Sequence, residues 1–420
     1  MIKKGVIVTS IFIFSTAIQL ASQIVVAQLF GPRLQLDIFL AAVVIPAIVV
    51  TVIYGTFNDA FLPLLGRHKK NKDAFFVNHL IAITMITIAV MVLFIILSPS
   101  LARALYSSRG AIFIQAVSVQ MRILFLAVPL ATIATLCGSY FYVQKRFVRF
   151  PLAQAVGSLT NLMSIAVLSA TIGIWALVVG FIFNIVIQIL FVIPNLRMKY
   201  SFLFPNLKPF LTALVPLIIG SFALRSDVLI IRSFGAQLPE GYLLYLNLIS
   251  RIFSVAAGVM TISIQIVLLP HLVEFLSQKQ YAKTVSYVNR AKKVSILISL
   301  MVVGAIVVVG PLVIRLLFVG GKFSLADAEI ASGMIPYFIL PGLAWGVNSV
   351  FFQPLVALKK QFALGIVNVV ALCLGLISAM VANTRWGAFN AIIIGITMLL
   401  FVGILGSELL WNIYKKSLIS

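Results

Sequence analysis

Acidic residues are scarce in this chain: nine Asp and Glu stand against 31 Lys and Arg in 420 residues, and charged residues make up only 10% of the whole. A soluble domain carries about 25% charge. A soluble globule of this size would lack the polar surface it needs to face water. Cysteine is nearly absent. Cys137 and Cys373 both lie inside apolar runs, which excludes a secreted disulfide scaffold and predicts two inert core thiols. The three histidines, His68, His79 and His271, join no Cys/His cluster with metal-ligand spacing. A phosphate-binding loop is missing too, since Gly320–Gly321–Lys322 lacks the upstream glycine. No Ser/His/Asp set and no carboxylate pair suggests catalysis, so the chain reads as a non-enzyme. With no ATPase domain, the energy for any transport has to come from an ion gradient, the membrane potential or the substrate gradient.

Apolar side chains are what the sequence has in excess: 62% hydrophobic residues and a mean hydropathy of +1.17. These values define an integral membrane protein. A span needs about 20 mostly apolar residues; hydropathy alone allows eleven or twelve, and charge favours twelve, at 6–29, 36–64, 77–99, 119–144, 152–171, 173–194, 210–233, 242–270, 294–318, 334–358, 361–382 and 387–412. Only Thr171–Gly173 separates the fifth from the sixth. The first span follows Lys3 and Lys4 like a signal peptide, but it runs on without a small-residue cleavage site, so it is expected to be retained.

Charge orients these spans. With the N-terminus in the cytoplasm, 21 of the 31 basic residues fall in cytoplasmic segments, each of which holds at least two. Lys/Arg bias of this kind sets topology. It accounts for the net charge of +22 without nucleic acid and places both termini on the cytoplasmic side of the membrane.

The chain also repeats itself. LFG at 29–31 precedes FLPLL at 61–65, and SFG at 233–235 precedes LLP at 268–270. The expected fold is therefore an all-α polytopic membrane protein with two parallel six-helix halves, 1–200 and 201–420, and a central cavity between them, where repeat-built transporters hold their substrate.

Polar residues inside spans are costly, about 2.5–3.5 kcal/mol for a central arginine, and mark functional sites. Span 7 holds Arg225, Asp227 and Arg232. On a continuous helix the two arginines lie within roughly 20° of each other, with Asp227 on the far side; Arg232, near the external interface, could also snorkel. Span 8 carries a stripe of Asn247, Ser250, Arg251, Ser254, Gly258, Thr261 and Gln265. The stripe suits either helix packing or a hydrated lining, but a buried guanidinium needs an anion or water. The first half shows neutral counterparts: Ser15, Thr16, Gln19, Ser22 and Gln23 in span 1, Gln154, Ser158 and Asn161 in span 5, and Asn184 and Gln188 in span 6. Span 10 holds Asn348, Ser349 and Gln353 beside Trp345; span 11 has Asn368 and span 12 Asn390. A cationic lining selects a phosphate, pyrophosphate, carboxylate or acidic sugar.

Three blocks resemble the MviN/MurJ family of lipid II flippases. Residues 29–65 carry Phe30–Gly31, Asp37, Phe39, Ile45–Pro46, Gly55, Phe57, Ala60–Phe61 and Pro63. Residues 238–272 carry Leu238–Pro239, Leu246–Asn247, Arg251, Gly258 and Leu268–Leu269–Pro270. Residues 316–331 carry Leu317–Phe318, Gly321, Phe323 and Asp327. The resemblance implies an alternating-access carrier for an undecaprenyl-pyrophosphate-linked glycan, with Arg251 and Asp37 on family positions. On this reading the substrate-binding set is Arg251, Arg225, Asn247, Ser254, Gln19, Gln23 and Asp37. Asp227 and Asn368 are candidates for a coupling sodium, with a proton as the other possible coupling ion; no cofactor is expected.

The sequence also departs from that family. Thr16, Ser22, Val50, Thr51 and Tyr54 stand where charged residues are usual, and twelve spans replace fourteen. A lipid-linked saccharide other than lipid II is therefore the favoured cargo. The alternatives are a cation-coupled drug antiporter of the same superfamily, or a non-transporting scaffold for polysaccharide synthesis. A monomer in the lipid bilayer, with glycan-synthesis enzymes as possible partners, completes the expectation.

Overall fold

The structure is a computed structural model that describes residues 2–67, 72–194 and 203–419. Nearly all of them are helical. No strand occurs among the described residues, and one bridge, Gly320 with Phe323, closes the turn before span 10.

The helices reproduce the expected twelve spans and lengthen most of them. They run span 1, Ile2–Phe30; span 2, Leu34–Ala42 and Val44–Arg67; span 3, Lys72–Tyr106; span 4, Ala111–Leu124 and Ala127–Val143; span 5, Arg149–Ile172; and span 6, Trp175–Val192. Span 7 is Lys208–Leu224 and Asp227–Gly235; span 8, Tyr242–Ser277; span 9, Tyr281–Phe318; span 10, Leu325–Met334, a 3₁₀ turn Ile335–Phe338, and Ile339–Ala357; span 11, Gln361–Trp386; and span 12, Ala388–Ile419. Ten of these are long and apolar enough to cross a bilayer, and the bent pair of span 7 makes an eleventh. Span 8 is a continuous 36-residue helix, some of whose side chains lie outside the described residues.

The chain forms two compact units, Met1–Phe222 and Ala223–Ser420. The division lies inside span 7 rather than at the expected 200/201. The first piece of span 7 belongs to the first unit because Phe210 packs edge-on against Phe57 and Phe61 of span 2, at 5.7 and 6.1 Å between ring centroids.

Each unit has the same internal plan. In the first, spans 5 and 6 pair, and span 4 packs on spans 2, 3 and 6; in the second, spans 11 and 12 pair, and span 10 packs on spans 8, 9 and 12. Spans 4 and 10 are both interrupted beside proline, at Phe125–Leu126 ahead of Pro129 and at the 3₁₀ turn holding Pro336. A proline ring cannot complete the ladder of an uninterrupted helix.

Both paired hairpins close on glycine: Gly173 has φ +56° and Gly387 φ +83°, the left-handed region where glycine carries no steric cost. Gly173 thus separates spans 5 and 6 where hydropathy shows almost no gap. The same hairpins are pressed together at glycines. A Cβ on Gly157 would lie 2.3 Å from Asn184 Oδ1, one on Gly180 2.6 Å from Asn161 Oδ1, and one on Gly395 2.7 Å from the Cβ of Ala379. Asn161 and Asn184 are therefore packing residues. The repeat glycines of the sequence do different jobs: Gly31 turns the chain with φ +64°, while Gly235 is helical and lies against Leu243 and Leu246.

Three lysines, Lys145, Lys279 and Lys359, are the non-glycine residues with positive φ among those described, at +61°, +56° and +59°. Each follows the end of an even-numbered span. In each case the next N–H bonds the carbonyl five residues back, as Arg146 does to Phe141 at 3.0 Å, Gln280 to Phe275 at 2.8 Å and Lys360 to Leu355 at 2.8 Å. That is the Schellman helix end, with lysine in the usual place of glycine. In the second unit, Lys292 of span 9 is ion-paired with Glu408 of span 12, and its ammonium lies 4.9 Å from the Phe351 ring and 5.8 Å from that of Trp411.

Candidate functional site

In the second unit, span 8 has two distinct faces. Leu246, Ile249, Phe253 and Ala257 are buried, whereas Asn247, Ser250 and Arg251 are half-exposed and Ser254 is exposed. A Cβ on Gly258 would meet nothing within 4 Å, so the polar stripe is an open face and close helix packing does not explain it. The side chains of Thr261 and Gln265 lie outside the described residues. Ser250 Oγ donates to the Asn247 carbonyl at 3.1 Å and Ser254 Oγ to that of Arg251 at 3.0 Å. The hydroxyls are thus used on their own helix, and Arg251 is the charged, half-buried residue of the stripe. Asn247 accepts a hydrogen bond from Arg232 of span 7. Arg232 is buried and does not snorkel, and Asn247 serves to hold it.

Span 7 corrects the shared cationic face. The helix breaks at Arg225–Ser226 and its two pieces diverge by 44°, so the angular argument, which needs a continuous helix, fails. Arg225 is exposed at the break, while Arg232 sits in the second piece. Asp227 opens that piece. Its Oδ1 accepts from the Val228 N–H at 2.9 Å, and its Oδ2 accepts from Trp345 Nε1 at 2.9 Å. A carboxylate in the first turn suits the helix dipole. No ion pair between Asp227 and an arginine occurs among the described residues.

Asn368 is buried and lines a cavity of about 10 Å³, room for about one water, with Asn348, Ala223, Leu224 and Phe352 among its other walls. Asp227 is not among the lining residues. Each Asp227 oxygen accepts one N–H and keeps further acceptor capacity. No group of three or more His, Cys, Asp or Glu side chains placed to hold a metal occurs among the described residues. The small cavity thus takes in Asn368 and leaves Asp227 outside its lining.

The first unit presents neutral groups. On span 1, Gln19 is exposed and Gln23 half-buried, and Thr16 Oγ1 donates to the Phe12 carbonyl at 2.9 Å. Ser15 Oγ lies 3.5 Å from Ser158 Oγ of span 5. Tyr54 OH donates to Gln188 Oε1 at 3.0 Å, and Gln188 Nε2 to Asn184 Oδ1 at 2.8 Å. Asp37 is fully buried in the first turn of Leu34–Ala42, so this site candidate is a structural group in the first unit, closed to a ligand. Reading the sequence singled out neither Tyr54 nor Trp345 for a contact. An aromatic with one polar atom in an apolar helix reads as core, and only the partner across the helix pair reveals the bond.

The structure is thus a two-unit helical membrane protein with arginines inside its spans. The family profile described as "Lipid II flippase MurJ" matches residues 26–419, and the chain belongs to that family. Among relatives, a probable lipid II flippase MurJ of Buchnera aphidicola is 22% identical over 367 residues, covering 80% of this chain and 69% of that protein. One of Bdellovibrio bacteriovorus is 20% identical over 220 residues, which cover 52% of this chain and 41% of its own length. The fold is similar to a solved lipid II flippase MurJ in an inward closed conformation, with a TM-score of 0.84 and 18% identity over 97% of this chain and 87% of that one. An inward-facing MATE family multidrug resistance transporter matches with a TM-score of 0.67 and 15% identity over 97% and 95%.

Proposed function

We propose that this protein moves an undecaprenyl-pyrophosphate-linked saccharide across the bacterial cytoplasmic membrane by alternating access, with Arg251 and Arg225 engaging the diphosphate. The observation that carries this reading is the open polar face of span 8, where a guanidinium is kept at the cost of placing charge inside a span. Guanidinium binds phosphate through paired, charge-assisted hydrogen bonds that are strengthened where water is excluded. A lipid-linked saccharide other than lipid II is the favoured cargo, since Thr16, Ser22, Val50, Thr51 and Tyr54 leave the first unit neutral where the resemblance calls for charge. A cation-driven antiporter is disfavoured because acidic residues are scarce within the spans. Both termini lie in the cytoplasm on this reading.

The test is translocation of fluorescent lipid-linked saccharides by protein in proteoliposomes. Arg251→Ala lowers the rate at least about tenfold while insertion is unchanged. Arg251→Lys restores only part of it, because lysine lacks the planar fork. Wild-type translocation by Arg251→Ala would overturn the proposal.

A further inference from the structure

Trp345 lies on span 10, which packs on spans 8, 9 and 12, and makes its polar contact beside the break in span 7. We propose that Trp345 is a positioning residue for the anion site: its indole N–H fixes where the second piece of span 7 begins, and thereby where Arg225 stands relative to Arg251. The proposal rests on the reading of Arg225 and Arg251 as diphosphate ligands.

A broken helix has no continuous hydrogen-bond ladder to set the direction of its second piece, and the N–H groups of its first turn need partners. Asp227 provides for both. One oxygen accepts from Val228 N–H at the start of the new helix, and the other accepts from Trp345 Nε1, each at 2.9 Å. A single carboxylate therefore ties the first turn after the break to span 10. Asn348, three residues beyond Trp345 and on the same helix face, lines the small cavity with Ala223 and Leu224 just before the break. Span 10 thus seats the chain on both sides of Arg225, whose own side chain remains exposed.

Span 10 is in turn locked to the helix that carries Arg251. A Cβ on Gly342 would run into the Phe253 ring, so that ring seats directly on the backbone of span 10, two residues along the chain from Arg251. The path from Arg225 through Asp227, Trp345, Gly342 and Phe253 to Arg251 runs through one hydrogen bond between spans and one interlocked ring. A bidentate ligand such as a diphosphate is sensitive to that spacing, because both guanidinium groups must reach it together. Span 1, a single unbroken helix of 29 residues, has no break for such a clamp to hold.

The experiment measures binding of undecaprenyl pyrophosphate to the full-length protein in nanodiscs, with melting temperature recorded in parallel. Trp345→Phe keeps the ring and removes the N–H; it is expected to weaken binding about tenfold with little change in melting. In an Arg225→Gln background the same change has no further effect, since there is no longer an Arg225 to position. Asp227→Asn, which satisfies only one of the two donors, reproduces the loss and does not add to Trp345→Phe; it is the variant to use if Trp345→Phe folds poorly. Wild-type affinity in both Trp345→Phe and Asp227→Asn overturns the positioning role, as does a loss that persists undiminished without Arg225. Wild-type affinity in Arg225→Gln removes the underlying reading of Arg225 and the proposal with it, and the two failures are thereby distinguished.

Discussion

Gly157 and Gly403 are both helical and inside spans, yet their surroundings give them opposite expectations. An Ala at 157 would drive its methyl to 2.3 Å from Asn184 Oδ1 and 2.5 Å from the Asn184 carbonyl, and the backbone oxygen cannot move aside. Gly157→Ala is expected to cost about 1–3 kcal/mol. At Gly403 the methyl would sit 3.8 Å from Phe352 and 4.0 Å from Ala371, ordinary contact, so Gly403→Ala gains about 0.5–1 kcal/mol from reduced backbone freedom. Thermal unfolding of the purified protein in detergent separates the two; a drop at both positions would contradict the packing. Lys359→Gly is likewise expected to raise the melting temperature, because it relieves a left-handed lysine that costs about 1 kcal/mol. At this scale the sequence was partly legible. Arg251 stood out because charge is rare in an apolar span. Asp37 misled because a sequence does not show burial.

Span 7 shows what is legible about an element and what is not. Hydropathy averages over a window, so it detects the span and smooths over a two-residue interruption. The signals for the break, Ser226 and Asp227 as helix-starting residues, were present but lay inside an apolar run that reads as one helix. The pairing of span 9 with span 12 was also hidden, because Lys292 counts as one more cytoplasmic base until Glu408 is seen opposite it. Glu408→Gln would leave the Lys292 ammonium at the Phe351 and Trp411 rings without its counterion. Glu408 is about one-third exposed (32%), so the expected loss is about 1–3 kcal/mol rather than that of a fully buried pair. Replacing both residues with methionine is expected to recover most of it, as apolar substitutes for ion pairs often do. Wild-type melting of Glu408→Gln would show that the ion pair contributes nothing, and equal melting of the single and double variants would contradict the apolar recovery.

For the whole molecule, the all-helical two-unit plan and the segments that form its long apolar helices were readable because span length is a physical requirement of the bilayer. The unit boundary was not, since it depends on aromatic packing by Phe210. Topology is testable in a background lacking Cys137 and Cys373. Single cysteines at Lys283, between spans 8 and 9, and at Glu329, at the start of span 10, lie on exposed positions. An impermeant thiol reagent is expected to reach 283 only from the cytoplasmic side and 329 only from the outside. Lys70, which falls in another expected cytoplasmic segment, lies outside the described residues. Labelling of 283 and 329 from the same face would overturn the twelve-span arrangement.

The glycine-closed turns bear on how the chain enters the membrane in the first place. Spans 5 and 6 are joined by two residues and spans 11 and 12 by one, too few to let either leg cross while the other waits. Each pair has to partition from the translocon as a helical hairpin, with both legs lowered together. With both termini in the cytoplasm, as proposed, the basic residues at the two ends of each pair act on it at once, and a charge introduced at Gly173 or Gly387 would have to be dragged across the bilayer by both helices.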